Sequence, residues 1–207
     1  MEKVICALWK PEAEDRDAFN SRILKDLPAQ LETAGASGVR INLEDSVTDT
    51  GAALRQTRGA PQHHATIQFW MPSANAIFRG DVDAVLSAAG DRFAAWLVLE
   101  STILPNKDHA PNKGARNWGW AQMAFLTRPE RLTFDQWLAI WQDHHTRVAI
   151  ETQSNFEYVQ NIVIRALTPD APPYAAIVEE CFPESALSDP FVFFDAVGDP
   201  DKFNANL

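Results

Sequence analysis

Apolar and polar positions along this chain follow one order of patterns, and then follow it again. VICALW (4–9) is an apolar strand candidate. Phe19, Ile23, Leu24, Leu27 and Leu31 then recur at three-and-four spacing, the signature of a helix with one buried stripe, and Gly35 and Gly38 end it. GVRINL (38–43) is the next strand candidate. After a polar loop, ATIQFWM (65–71) alternates: Ala65, Ile67, Phe69 and Met71 point one way, Thr66, Gln68 and Trp70 the other. A short helix is expected after Asp81, ending near Gly90, and AAWLVLES (94–101) closes the run as a strand.

Residues 104–117, LPNKDHAPNKGARN, have no periodicity and are rich in Pro, Asn, Lys and Gly, so they read as a linker. Beyond them the order recurs. WAQMAFL (120–126) is a strand, and TFDQ (133–136) is a capping box that starts a helix running to about Gln153. FEYVQNIVIRAL (156–167) and YAAIVEECF (174–182) are strands. Asp189-Pro190 and Asp199-Pro200 each mark a helix start.

Each half therefore reads β-α-β-β-α, with a last strand in the first half only. The expected fold class is α+β: two tandem ferredoxin-like repeats, 1–103 and 118–207, joined by the 104–117 linker and closing a pseudo-twofold dimeric α+β barrel. No closing strand follows in the second half. That leaves an edge open or available to a second copy, so a homodimer is an admissible assembly.

Composition narrows the partners. The 207 residues are 46% hydrophobic and 22% charged, with net charge −10 and a pI near 4.9. Such a chain is expected to bind neither a nucleic-acid backbone nor an anionic membrane surface. Its longest N-terminal apolar run is too short for a signal-peptide core or a membrane span. The two cysteines, Cys6 and Cys181, read as reduced buried thiols, and the expected location is cytoplasmic.

The run WLAIWQDHHTRVAIETQ (137–153) carries the candidate chemistry. At 100° per residue, Trp137, Leu138, Trp141, Val148, Ala149 and Thr152 fall within about 60° of one direction. His145 lies about 20° from the centre of that stripe, and His144 roughly 80° away. His145, four residues after Trp141, is thus expected to face inward. An imidazole desolvated among aromatic rings can serve as a general acid or base, or can simply be a core histidine bonded to a carbonyl. Glu179 and Glu180 are adjacent on a strand, so one of them faces inward if the strand is regular, and it is a candidate partner for His145. If the strand ends there, both are solvated. Tyr158, Gln160, Asn161, Tyr174 and Glu100 are further strand residues that could partner His145, with Tyr158 and Gln160 on one face of their strand and Asn161 on the other. Of seven tryptophans, Trp9, Trp70, Trp96 and Trp120 lie on strand candidates where a flat apolar ligand could rest.

FDQWLAIWQDHHTRVA, YVQN and YAAIVEECFPES together resemble the helix, next strand and third strand of EthD-like proteins. The resemblance covers the second half. The first half shares only the pattern, with Leu27 where the repeat places His145. It implies a dimeric α+β barrel, whose members include polyketide cyclases, small dehydratases and lyases, cofactor-free monooxygenases and haem enzymes. It also favours a working role for His145.

No HExxH, Cys/His ligand spacing, strand-to-helix Gly-rich loop or GxSxG is present, so neither a metal nor a nucleotide cofactor is expected. The expected function is a cofactor-independent lyase or isomerase, dehydratase- or cyclase-like. Its expected substrate is a small hydrophobic metabolite, aromatic or carbonyl-bearing. His145, Glu179 and Glu180 would move protons, and Trp141, Tyr158, Gln160, Asn161, Trp120 and Trp70 would line the substrate. The alternatives are a barrel that binds a small molecule without turnover, a haem protein with His145 as axial ligand, and a cofactor-free oxygenase.

Overall fold

A computed structural model describes residues 1–57 and 62–207. The polar loop before the third strand includes 58–61, which lie outside the described residues. The chain divides into two compact units, Met1–Glu100 with Ile162–Pro173, and Ser101–Asn161 with Tyr174–Leu207. The segment Ile162–Pro173, expected in the second half, thus belongs to the first unit.

The first unit contains β1 (Glu2–Trp9), α1 (Arg16–Thr33), β2 (Ser37–Leu43), a 3₁₀ turn (Thr48–Leu54), β3 (Ala65–Met71), α2 (Ala76–Ala89) and most of β4 (Arg92–Leu104). It also holds the C-terminal half of β6 (Glu157–Ala166). Its strand order is β2-β3-β1-β4-β6. β1 runs antiparallel to β3 and to β4, with Cys6 opposite both Ile67 and Ala95.

One sheet face packs on the helices. Val4, Cys6 and Leu8 of β1 and Ile67 and Phe69 of β3 meet Phe19, Ile23, Leu27 and Leu31 of α1 and Val82 and Leu86 of α2. Each such side chain contributes roughly 1.5–3 kcal/mol through burial. Leu24, expected in the stripe of α1, is exposed. α1 starts where the Asp15 carboxylate accepts from the backbone N–H groups of Asp17 and Ala18.

α2 begins five residues before the expected Asp81, because Asn75 is its N-cap and Arg79 is one of its buried residues. The Arg79 guanidinium donates to Asp83 (2.8 Å), to the Ala74 carbonyl (2.8 Å) and to the Leu167 carbonyl (2.8 Å). With the bond from Trp96 Nε1 to the Pro172 carbonyl (3.0 Å), this ties Ile162–Pro173 into the first unit.

The second unit has strand order β4-β6-β7-β5, built from the end of β4, the N-terminal half of β6, β7 (Ala176–Phe182) and β5 (Trp120–Leu126). β5 and β7 are antiparallel, with Gln122 opposite Glu180 and Met123 opposite Glu179. The helix between β5 and β6 is not uniform. It comprises α3 (Phe134–Ala139), a π-helical turn (Ile140–His145) and α4 (Thr146–Thr152). The capping box forms as its sequence demands, with Thr133 Oγ1 accepting from Gln136 N–H and Gln136 Oε1 from Thr133 N–H.

After β7 come a 3₁₀ turn (Glu184–Leu187), α5 (Pro190–Phe193) and α6 (Pro200–Asn206), and no further strand among the described residues. The segment read as a linker is anchored to its own unit. Asn106 Nδ2 donates to the His109 carbonyl (2.9 Å) and to Glu157 Oε2 (3.3 Å), and the His109 ring stacks on Trp118 at 3.7 Å. Among the described residues no helix is long and apolar enough to cross a membrane. Cys6 and Cys181 are buried thiols on β1 and β7.

Candidate functional site

The π-turn decides which residue of the long helix meets the sheet. Trp137 and Trp141 are buried and stacked on each other at 5.1 Å, as their spacing requires. From Trp141 onward the expectation fails: His145 is exposed, and Thr146 is the buried residue. An α-helix brings the fourth residue on to the same face, but a π-turn closes i to i+5 and inserts one more. The Thr146 backbone N–H accordingly donates to the Trp141 carbonyl, and so does the Thr146 hydroxyl (3.0 Å). His145 therefore offers neither an enclosed acid–base group nor an enclosed axial ligand.

In the place expected for His145 lies a polar network that contains several of the expected residues. Gln160 Nε2 donates to Thr146 Oγ1 (2.7 Å) and to the Tyr158 phenol oxygen (2.9 Å). Burial raises the Tyr158 pKa, the Gln160 amide opposes that rise, and the nearby Glu180 charge adds to it. The Thr146 and Trp141 side chains also oppose that rise through hydrogen bonding, while Gln160 Oε1 is buried without a hydrogen-bond partner among the described residues.

β7 does not end at its glutamates. All seven of its residues are buried, so neither glutamate is solvated. Glu180 lies on the side of Tyr158 and the helix. Burial raises its carboxyl to about 7, against the opposing pull of the Asn155 amide, which approaches Oε1 at 3.4 Å. Alternation puts Glu179 on the opposite face of β7, and puts Asn161 on the face of β6 opposite Tyr158 and Gln160. Asn161 donates to the Ile177 carbonyl (3.1 Å). Trp120 stacks on Phe182 (5.3 Å) and donates from Nε1 to the Pro183 carbonyl (3.1 Å), away from the network. Trp70 is on β3 of the first unit. The structure thus brings together Trp141, Tyr158, Gln160 and Glu180, and not His145, Glu179, Asn161 or Trp120.

The first unit carries a second constellation, on the sheet face turned away from its helices. There β1 contributes Lys3, Ile5 and Ala7, β3 contributes Thr66, Gln68 and Trp70, and β4 contributes Trp96, Val98 and Glu100, as alternation from the helix-packed residues dictates. Lys3 is only 4% exposed. Its ammonium donates to Glu100 Oε2 at 2.5 Å, in a register that sets Lys3 opposite Trp70 on one side and Val98 on the other. Gln68 Nε2 lies 3.4 Å from Asn42 Oδ1. About 13 Å from Lys3, four residues along β1 at the usual rise per residue, Thr66 Oγ1 is 3.0 Å from His63 Nε2.

His63 is half-buried and sits edge-on to Trp9 at 5.8 Å. Burial, with His64 beside it, lowers its pKa to about 4, so the imidazole is neutral at pH 7. Because His63 takes its proton less readily in the folded state than in the unfolded one, its contribution to stability is complete above about pH 6.5 and is lost as pH falls toward 4. Urea melts between pH 7 and 4 are therefore expected to show a His63→Gln variant with a flatter acid decline than wild type. Parallel declines would contradict this.

Lys3 and His63 escape the sequence reading because each lies at or beyond the end of an apolar run, and Glu100 enters it only as one of several strand partners offered to His145. The available signal was the polar side of β3, Thr66 and Gln68, which implied a second buried face needing polar partners. Among the described residues, no group of three or more His, Cys, Asp or Glu is placed to hold a metal ion. No protein-family model matches the chain, and no curated protein matches it.

Proposed function

We propose that this chain is a cofactor-independent acid–base enzyme of the lyase or isomerase class, dehydratase- or cyclase-like. Its substrate would be a small hydrophobic molecule, aromatic or carbonyl-bearing, resting on the helix-free face of the first unit's sheet. The observation that carries this reading is the Lys3–Glu100 pair, held at 2.5 Å on a face that also carries Ile5, Trp96, Val98 and Trp70. The Lys3 ammonium is withdrawn from water while its partner carboxylate stays 26% exposed. A buried charge is expensive and adds little stability over apolar packing, so its retention favours chemistry.

In that chemistry a substrate carbonyl withdraws electrons from the carbon that loses its proton. The Lys3 ammonium stabilises the oxyanion that develops, and the Glu100 carboxylate takes the proton and returns it. Trp70 and Trp96 supply flat apolar surface. The neutral His63, bonded to Thr66, gives that face a polar end.

The strand orders β2-β3-β1-β4 and β6-β7-β5 support reading the halves as tandem ferredoxin-like repeats. In such a pair the helices cover one sheet face, so a residue on a helix's inner side packs against that covered face. This moves the proposed catalytic group from His145 to the sheet's other face.

The second reading is a protein that binds such a molecule without turnover. The closeness of Lys3 to Glu100 favours it, because each already satisfies the other. Both readings are tested by incubating the protein with enolisable aromatic ketones and β-hydroxy carbonyl compounds in D2O and following deuterium uptake by NMR. Wild type is expected to catalyse exchange, and Lys3→Met and Glu100→Gln to slow it by about 10² or more. Exchange undiminished in both folded variants overturns the assignment of this site. Compounds that raise the melting temperature without exchanging establish the second reading.

A further inference from the structure

Hydrophobic pattern and burial disagree by one position along the helix after Trp141. An unbroken α-helix would bury His145, Val148, Ala149 and Thr152 beneath the Trp137–Trp141 stripe. The observed helix buries Thr146 and Ala149, leaving Val148 39% exposed. The apolar residues are thus written for a register that the π-turn displaces.

Polar groups point the same way. Beside Thr146, Gln160 Oε1 is a buried acceptor without a donor among the described residues. The Thr146 hydroxyl cannot serve it, since its one proton already goes to the Trp141 carbonyl. A neutral imidazole carries one N–H, the donor this acceptor lacks.

We infer that this helix has a second register, in which the π-turn is lost after Trp141 and His145 replaces Thr146 over Gln160 and Tyr158. The exchange sacrifices the two Thr146 hydroxyl bonds. It gains burial of Val148 and a donor for Gln160 Oε1. The displaced residue is absorbed after Thr152, where the helix already ends at Gln153 in extended conformation. π-turns recur at functional positions in helices, and a one-residue register change is the motion they permit. The inference is independent of the Lys3–Glu100 site.

Thr146→Ala removes the bonds that hold the observed register. Diethyl pyrocarbonate labelling, resolved by mass spectrometry, then compares His145 with its neighbour His144. In wild type both imidazoles are exposed and should react at similar rates. In Thr146→Ala, His145 is expected to react about tenfold more slowly while His144 is unchanged, the effect of moving nine-tenths of the population to the second register. Equal rates in the folded variant overturn the inference. Should the variant not fold, the wild-type protein decides it: the amides of Asp143–Ala149 must show microsecond-to-millisecond exchange by relaxation dispersion, and its absence overturns the second register. Deleting His144 sets Thr146 four residues after Trp141 in a continuous α-helix, and is expected to abolish that exchange.

Discussion

Glu180→Gln should make the protein more stable at pH 8 and leave it unchanged at pH 4. The Glu180 carboxyl is 7% exposed, and its pKa is raised by burial to about 7. In the unfolded chain it titrates near 4.5. A group raised in this way contributes its full stability below the unfolded value and loses it as pH rises through the folded one. The wild-type chain therefore carries a penalty that grows from nothing near pH 4.5 to about 3 kcal/mol above pH 7. Glutamine keeps the shape and removes the charge. Urea melts of both proteins across pH 4 to 9 should diverge above pH 5, and curves that stay parallel would show that Glu180 ionises as freely folded as unfolded. A side chain that costs this much near neutrality, in contact with Asn155 and near Tyr158, is retained for something other than stability.

Gly119→Ala should be among the most damaging single changes in the chain. Gly119 has φ +75°, and a Cβ on it would lie 2.1 Å from the Phe182 carbonyl oxygen. The left-handed conformation alone costs an alanine roughly 1–2 kcal/mol, and a backbone clash cannot be relieved by a rotamer change. Relief requires moving the start of β5 away from the end of β7, where Trp120 is paired with Phe182. A loss of more than about 3 kcal/mol is expected. Intrinsic tryptophan fluorescence during urea unfolding measures it, and a midpoint within error of wild type would be inconsistent with this packing.

The strands were the most legible part of the sequence. The alternation in 65–71 and the apolar run 120–126 coincide with β3 and β5, because a two-residue period has one physical interpretation when one face is covered. The capped helix starts at Thr133 and Asp189 were equally readable, since each rests on a local hydrogen bond. The start of α2 was not, because its N-cap Asn75 makes no side-chain capping bond and Ala76, Ile77 and Phe78 are all exposed.

The orientation of His145 was beyond the pattern for a different reason. Periodicity assumes one angle per residue along the whole helix, and a single i+5 closure breaks that assumption while leaving composition untouched. Of the candidate site, Trp141 was legible as an inward position, whereas alternation set Tyr158 with Gln160 without saying which face is inward and left Glu179 and Glu180 undivided. Lys3 was not legible, because a charge at the end of an apolar strand looks like solvated fringe until the register sets it between Trp70 and Val98.

The first unit draws Ile162–Pro173 from far along the chain, and this has a consequence for biogenesis. A nascent polypeptide leaving the ribosome cannot finish that unit when Glu100 emerges. Its β4 remains without the neighbouring strand, and Arg79 and Trp96 without the carbonyls of Leu167 and Pro172, until translation has passed through β5, the long helix and β6. Truncation at the 104–117 segment should accordingly yield an aggregation-prone fragment rather than an independent domain.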